Sequence, residues 1–420
     1  MAVNSTTFPL TVSTVNGQSG NVTINQPYPN TFPFAMQSQT AQPSGTIKFQ
    51  NVTLTTVNGV PWAICSGGNS PATICAYNIS NPLAPVLGSS LTLLGSYGAF
   101  VQGNYAYVPS SGGYVLYVVS IADPTNLVVV GSVNIGSASG SLYSCVVSGN
   151  YCYIATQSKG LTVVDVTNPA APVQVFQEGG TTNKSFGVAI SGTTVYTTNY
   201  QTATPWTVRY FKTWSVATPT APVLQNTYTL PANTKPLGIY LWGNYAAIGD
   251  GNQNIYHLLN ITTPTAPAYL YALTPSGTTL GPPFNVQVNG NYLYAPSQSA
   301  TLGGVIDMFD ITNIATAAPT KFSTFTTGVA TSAFGNIALD TVNNYIYCAD
   351  YGIPPGNNGT LDVIKMPFQT ATIGYLYASS MFYAPGIPGN WASTPPVTIE
   401  SALDRMSTLL KTLNSNNPIP

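Results

Sequence analysis

The chain has 420 residues, of which only 5% are charged, with 10 basic and 11 acidic side chains and a net charge of −1. An average soluble domain is roughly 25% charged, so this chain has no field to steer nucleic acid, acidic ligands or a membrane surface toward it. Hydrophobic content is nonetheless an ordinary 44%, enough to build a core and to exclude a disordered polymer.

In chain order, residues 1–45 come first and contain no charge. MAVNSTTFPLTVSTVNG has neither a basic n-region nor a continuous apolar h-region, so no secretory signal is expected and synthesis ends in the cytoplasm. No apolar run reaches the roughly 18 residues of a membrane span. Prolines recur through PYPNTFPFAMQSQTAQPSG (27–45) and oppose helix and central strand, which predicts an extended arm.

From residue 46 to 378 the chain repeats. VQGNYAYVP (101–109), VSGNYCYIA (147–155), LWGNYAAIG (241–249) and VNGNYLYAP (288–296) are strong copies, and weaker ones begin at residues 56, 190 and 341. The turn position falls at Gly59, Gly103, Gly149, Gly192, Gly243, Gly290 and Asn343, 43–53 residues apart. A second motif follows six of the copies, as in YNISNPLAP (77–85), VDVTNPAAP (164–172) and LNITTPTAP (259–267). Each unit therefore reads as strand, Gly-Asn hairpin, strand, variable loop, strand, Asn-Pro turn and strand. Four antiparallel strands per unit and seven units predict an all-β fold, a seven-bladed β-propeller. ATIGYLYAS (371–379) is the expected outer strand of the last blade, with GTIKFQNV (45–52) as the alternative that closes the ring.

The VxGNYxYxA and LxVVDVTNPxAPV patterns, clearest in residues 142–178, resemble the LVIVD-repeat propeller family. The resemblance implies the propeller fold and no shared chemistry.

Aligning the units on the proline turn puts Asn78, Ser120, Asp165, Ser215, Asn260 and Asp310 at one position. All are short side chains with an oxygen acceptor, interchangeable as caps of a turn but not as nucleophiles or metal ligands. These six are therefore expected to be structural turn caps. The lone histidine, His257, sits at a third-strand position and reads as a packed strand residue. Acidic residues are scattered about one per blade, and Asp307 and Asp310 fall on opposite strand faces. Phosphate loops, nucleophile elbows and calcium loops are absent, so no catalytic residue, metal or cofactor is expected. The five cysteines, without a Cys-x-x-Cys pair, read as buried free thiols.

The two turns of each unit share one end of the blade, so the variable loops open at the other. Tyr200 and Trp206 in NYQTATPW, Asn252 and Gln253 in GDGNQN, and Tyr351 in DYGIPPGNNG are the candidate binding residues. Aromatic platforms beside amide donors suit a sugar.

Beyond a Pro/Gly-rich linker (379–397), residues 398–414 predict a short helix, followed by a tail (415–420). Thr398 is its N-cap and Glu400 suits the first turn. Ile399, Ala402, Met406, Leu409 and Leu413 lie at a/d spacing, and a helix this short is marginal alone. It therefore packs on the propeller or on copies of itself, with a trimer expected. YAPGIPGNWASTPPVTIESALDRMSTLLKTL (383–413) resembles a module of phage fibre-type proteins, and STVNGQSGNVTIN (13–25) resembles a segment of bacteriophage tail-fibre proteins. The two resemblances imply a non-enzymatic virion protein, a fibre or capsid-decoration subunit. Its terminal segments would meet other virion proteins and its propeller a host protein or glycan. The alternative is a bacterial cell-surface or matrix protein with protein or glycan partners.

Overall fold

The computed structural model describes residues 34–41 and 48–366, apart from 68–71, 95–97, 111, 137–139, 180–182, 202–207, 278–284, 300, 331 and 353–358. The expected helix at 398–414, with Ile399, Ala402, Met406, Leu409 and Leu413, lies outside the described residues, as does Trp206. Seven four-stranded antiparallel sheets are present, each in the order inner, second, third and outer strand. The fold is a seven-bladed β-propeller.

Blade 3 shows how the local sequence makes one unit. Its strands are Leu142–Ser148, Tyr151–Thr156, Gly160–Asp165 and Val173–Gln177. The first hairpin turns at Gly149, whose φ of 57° is open to glycine at no steric cost. In blades 2 to 6 only the glycine of the pair has positive φ, as in a type II′ turn, whereas Asn58 and Gly59 of blade 1 both do, as in type I′. In blade 7 the positive φ falls on Asn344, not on Asn343.

The second turn is closed by the cap position. Backbone N–H groups two residues on donate to Asn78 Oδ1 (2.9 Å), Ser120 Oγ (3.4 Å), Asp165 Oδ1 (2.8 Å), Asn260 Oδ1 (2.8 Å) and Asp310 Oδ1 (2.8 Å). Ser215 holds the same register place, opposite Thr194 and Val223. In blades 2 to 6 the residue after the cap donates its N–H to a carbonyl at the first turn, for example Val166 to Asn150 and Ile261 to Asn244, both at 2.8 Å. The two turns of a blade are thus tied together. The apolar side chains at these positions, such as Val166 and Ile261, are buried against the preceding blade.

Packing is between blades. Tyr107, Leu116 and Val118 of blade 2 bury against Leu142, Ile154 and Val164 of blade 3, and each fully buried side chain of this size contributes about 1.5–3 kcal/mol. The proline turn of one blade also laps over its predecessor. Ser89 Oγ donates to Pro124 O at 2.9 Å and Thr213 Oγ1 to Pro264 O at 2.8 Å.

Ring closure differs from expectation. The outer strand of blade 7 is Ala35–Ala41, paired antiparallel with Thr360–Lys365, so residues 1–45 are not an arm throughout. This strand takes the outer place; 371–379, expected there, lies outside the described residues. GTIKFQNV (45–52), the alternative closing strand, instead runs into Phe49–Val57, the inner strand of blade 1. The reason is register. Like the outer strands of blades 1 to 6, Ala35–Ala41 slips by one residue, here between Met36 and Ser38, opposite Ile364 and Val363, the first and second residues before Lys365, which holds the register place of the caps. Its Ser38 Oγ also donates to Pro82 O at 2.9 Å, the same lap joint that Ser89 makes.

Candidate functional site: the central channel and its rim

The inner strands of all seven blades line one central cavity of about 550 Å³. One layer of it is built from equivalent positions, Asn51, Gly98, Ser144, Gly187, Gly238, Asn285 and Asn336. Gly187 admits no side chain, since a Cβ there would stand 2.3 Å from Leu237 O. The polar members stitch neighbouring blades together. Asn336 Nδ2 donates to Asn51 Oδ1 (2.6 Å), Asn51 Nδ2 to Ala99 O (2.9 Å) and Ser144 Oγ to Phe186 O (2.7 Å).

Toward the rim with the variable loops, the wall carries Gln50, Tyr143 and Phe186. The Tyr143 and Phe186 rings stack with centroids 4.4 Å apart. Gln50 Oε1 is buried and has no hydrogen-bond partner among the described residues. Among the described residues that line the cavity, none is Asp, Glu, Lys, Arg or His. This wall can orient and stack a neutral molecule, but those residues offer no carboxylate or imidazole for acid–base chemistry.

The predicted rim residues divide into two places. Tyr200 is 6% exposed and lies under Lys235, whose Nζ is 5.6 Å from the ring. Lys235 N donates to Asp250 Oδ1 at 2.9 Å, next to Asn252 and Gln253. Asn252 Nδ2 donates to Asn233 O (2.7 Å), and Gln253 Nε2 to Ala232 O (3.2 Å) and Asp250 Oδ2 (3.0 Å). These three therefore share one stretch of rim, where their amides hold the loops. Tyr351 stands apart on blade 7, its hydroxyl accepting from Gln298 Nε2.

The charged residues serve the framework. His257 is 1% exposed; its Nε2 lies 3.2 Å from Asp250 Oδ2 and 3.1 Å from Thr234 Oγ1, and its Nδ1 3.2 Å from Tyr269 OH. Burial pushes the Asp250 carboxyl up, but the His257 contact and the Lys235 and Asn252 N–H groups outweigh it and hold it below the usual range. Lys212 pairs with Glu178 across blades 3 and 4 at 2.5 Å. Asp307 is fully buried, bonded to Ser276 and Thr324, while Asp310 caps a turn.

One pairing escaped the sequence reading, which saw the acids as scattered. Asp350 and Asp362 stand on adjacent strands of blade 7, where Cys348 faces Asp362 and Asp350 faces Thr360. Asp362 Oδ1 accepts from Thr360 Oγ1 (2.6 Å) and Gln39 Nε2 (3.1 Å), while its Oδ2 is buried without a partner among the described residues. Burial, then the Asp350 charge, pushes this carboxyl up to about 7. Burial raises Asp350 as well. The signal was present in NYIYCAD and TLDVIKM, which become informative only once their strands are paired.

Residues 99–135 and 139–177, blades 2 and 3, match the LVIVD repeat model. The chain carries LVIVD repeats. No curated protein matches it. Among solved structures, the β-propeller domain of Cps50 (Swd1) from Myceliophteria thermophila is similar at 9% identity, covering 80% of this chain and 100% of that one, with a TM-score of 0.57. The periplasmic gluconolactonase PpgL of Pseudomonas aeruginosa is similar at 10% identity over 73% of this chain and 96% of that one, TM-score 0.58. The N-terminal domain of Nup159 is similar at 10% over 79% and 95%, TM-score 0.53. At such identities the LVIVD-repeat chain shares the fold with these proteins, and fold alone carries no activity.

Proposed function

We propose that this LVIVD-repeat propeller is a non-enzymatic structural protein of a phage-like virion, a fibre or capsid-decoration subunit that presents its variable rim to a host surface or partner. The observation that carries the reading is where the charges lie. His257, Asp250, Asp307, Lys212 and Glu178 are held in contacts within and between blades, and the described cavity wall is neutral. A neutral amide- and hydroxyl-rich surface on a rigid ring suits presentation and recognition. The terminal resemblances to fibre proteins supply the location.

Mass spectrometry of purified particles tests the location, with the chain expected as a stoichiometric component. Antibodies against the propeller are expected to block adsorption. Particles lacking the chain, or the chain on bacteria free of virus, would replace this reading with that of a cell-surface protein.

A further inference from the structure

We propose that the rim-side mouth of the central channel is a binding site for a neutral sugar residue, stacked on the Tyr143–Phe186 wall and oriented by Gln50. The inference deepens the recognition role above by naming the ligand class and moving its seat from the outer loops to the channel.

Four observations converge. The cavity of about 550 Å³ has the size of small-ligand sites. Its described wall has no charged side chain, so a phosphate, carboxylate or ammonium entering it would lose water without gaining a counter-charge. A stacked aromatic pair on blades 3 and 4 and an amide on blade 1, all on the wall of one cavity, match the alternating apolar and hydroxyl faces of a pyranose. Finally, the polar groups of the wall are unequally engaged. Asn51, Asn336 and Ser144 hold the blades together, whereas Gln50 Oε1 is a buried acceptor with no donor among the described residues. Gln50 lines the cavity; a sugar hydroxyl is a fitting donor once the amide turns into the lumen, and leaving such an acceptor unmet is costly. The rim amides of Asn252 and Gln253, by contrast, are engaged with Asn233, Ala232 and Asp250.

The test is calorimetric titration of the full chain with neutral disaccharides of glucose, galactose, mannose and N-acetylglucosamine, with sialyllactose as the charged control. One or more neutral sugars are expected to bind, and sialyllactose at least tenfold more weakly than the best of them. Gln50→Leu and Tyr143→Ala are each expected to weaken binding at least tenfold, and Asn252→Ala on the rim to leave it unchanged. Gln50→Leu removes only an amide from the wall, so it keeps the test open should Tyr143→Ala fail to fold. Absence of neutral-sugar binding at millimolar concentration overturns the proposal. So does binding that survives Gln50→Leu, or binding lost only through Asn252→Ala. Absence of the chain from virions would sink the location reading and leave this titration untouched.

Discussion

Replacing Asp362 with asparagine should make the protein's stability less sensitive to pH. The Asp362 carboxyl titrates at about 7, against 3.8 for a free group. Its folded-state value is thus raised, and the unfolded chain gives up the proton first as pH rises. Stability from this group is complete below about pH 4 and is lost by about pH 7. At about 1.4 kcal/mol per pH unit, the roughly three units between 3.8 and 7 set a ceiling of about 4 kcal/mol. Of this, about 3 kcal/mol falls between pH 5 and 8. The amide introduced by Asp362→Asn would still accept from Thr360 and Gln39 through its oxygen and would never ionise. Asp165, Asp123 and Asp250, which are held low, act equally in both proteins. Urea unfolding of both at pH 5, 6, 7 and 8 should therefore show the variant gaining on the parent by up to about 3 kcal/mol. A difference that stays flat across this range would refute the assigned burial of an unpaired carboxyl oxygen.

Asp165→Ala should cost about 1 kcal/mol in urea unfolding, and Asp165→Asn, which preserves the acceptor, almost nothing. Gly131→Ala would bring a Cβ to 2.1 Å from Pro169 O, and the forced shift of the turn should cost about 1–3 kcal/mol in the same assay. Burial raises the thiols of Cys65, Cys75, Cys152 and Cys348. Ellman titration of the native protein should therefore count no more than one reactive thiol, the half-buried Cys145, against five in denaturant. A chain starting at residue 47 loses the outer strand of blade 7, which exposes an edge and should lower the melting midpoint by several degrees or cause aggregation.

Much of this architecture was legible because the repeats report on one another. No single aspartate reveals its role, but Asp165 set beside Asn78, Ser120 and Asn260 can only be a position that needs an acceptor oxygen, and the bonds to the N–H two residues on are of that kind. Ring closure was less legible. Ala35–Ala41 reads AMQSQTA, with neither Gly-Asn nor Asn-Pro punctuation, because both neighbouring turns belong to a blade whose other strands lie at the far end of the chain. The channel wall was equally hidden. Gln50, Tyr143 and Phe186 are ordinary residues in three separate repeats, and only the closed ring makes them one surface. The Asp350–Asp362 pair follows the same logic, since the two side chains share a sheet that the linear sequence does not display.

That closure has a consequence for biosynthesis. Gln39 must find a partner 321 residues downstream at Thr360, so it leaves the ribosome long before that partner. Blades 1 to 6 can form in order as local hairpins, but Ala35–Ala41 has to wait for almost the whole propeller before it is covered. Its polar, proline-bracketed sequence suits that delay, being poor material for premature pairing. The last step of folding joins the first strand of the propeller to the last, and a ribosome stalled before residue 360 would release a nearly complete ring with its seam still open.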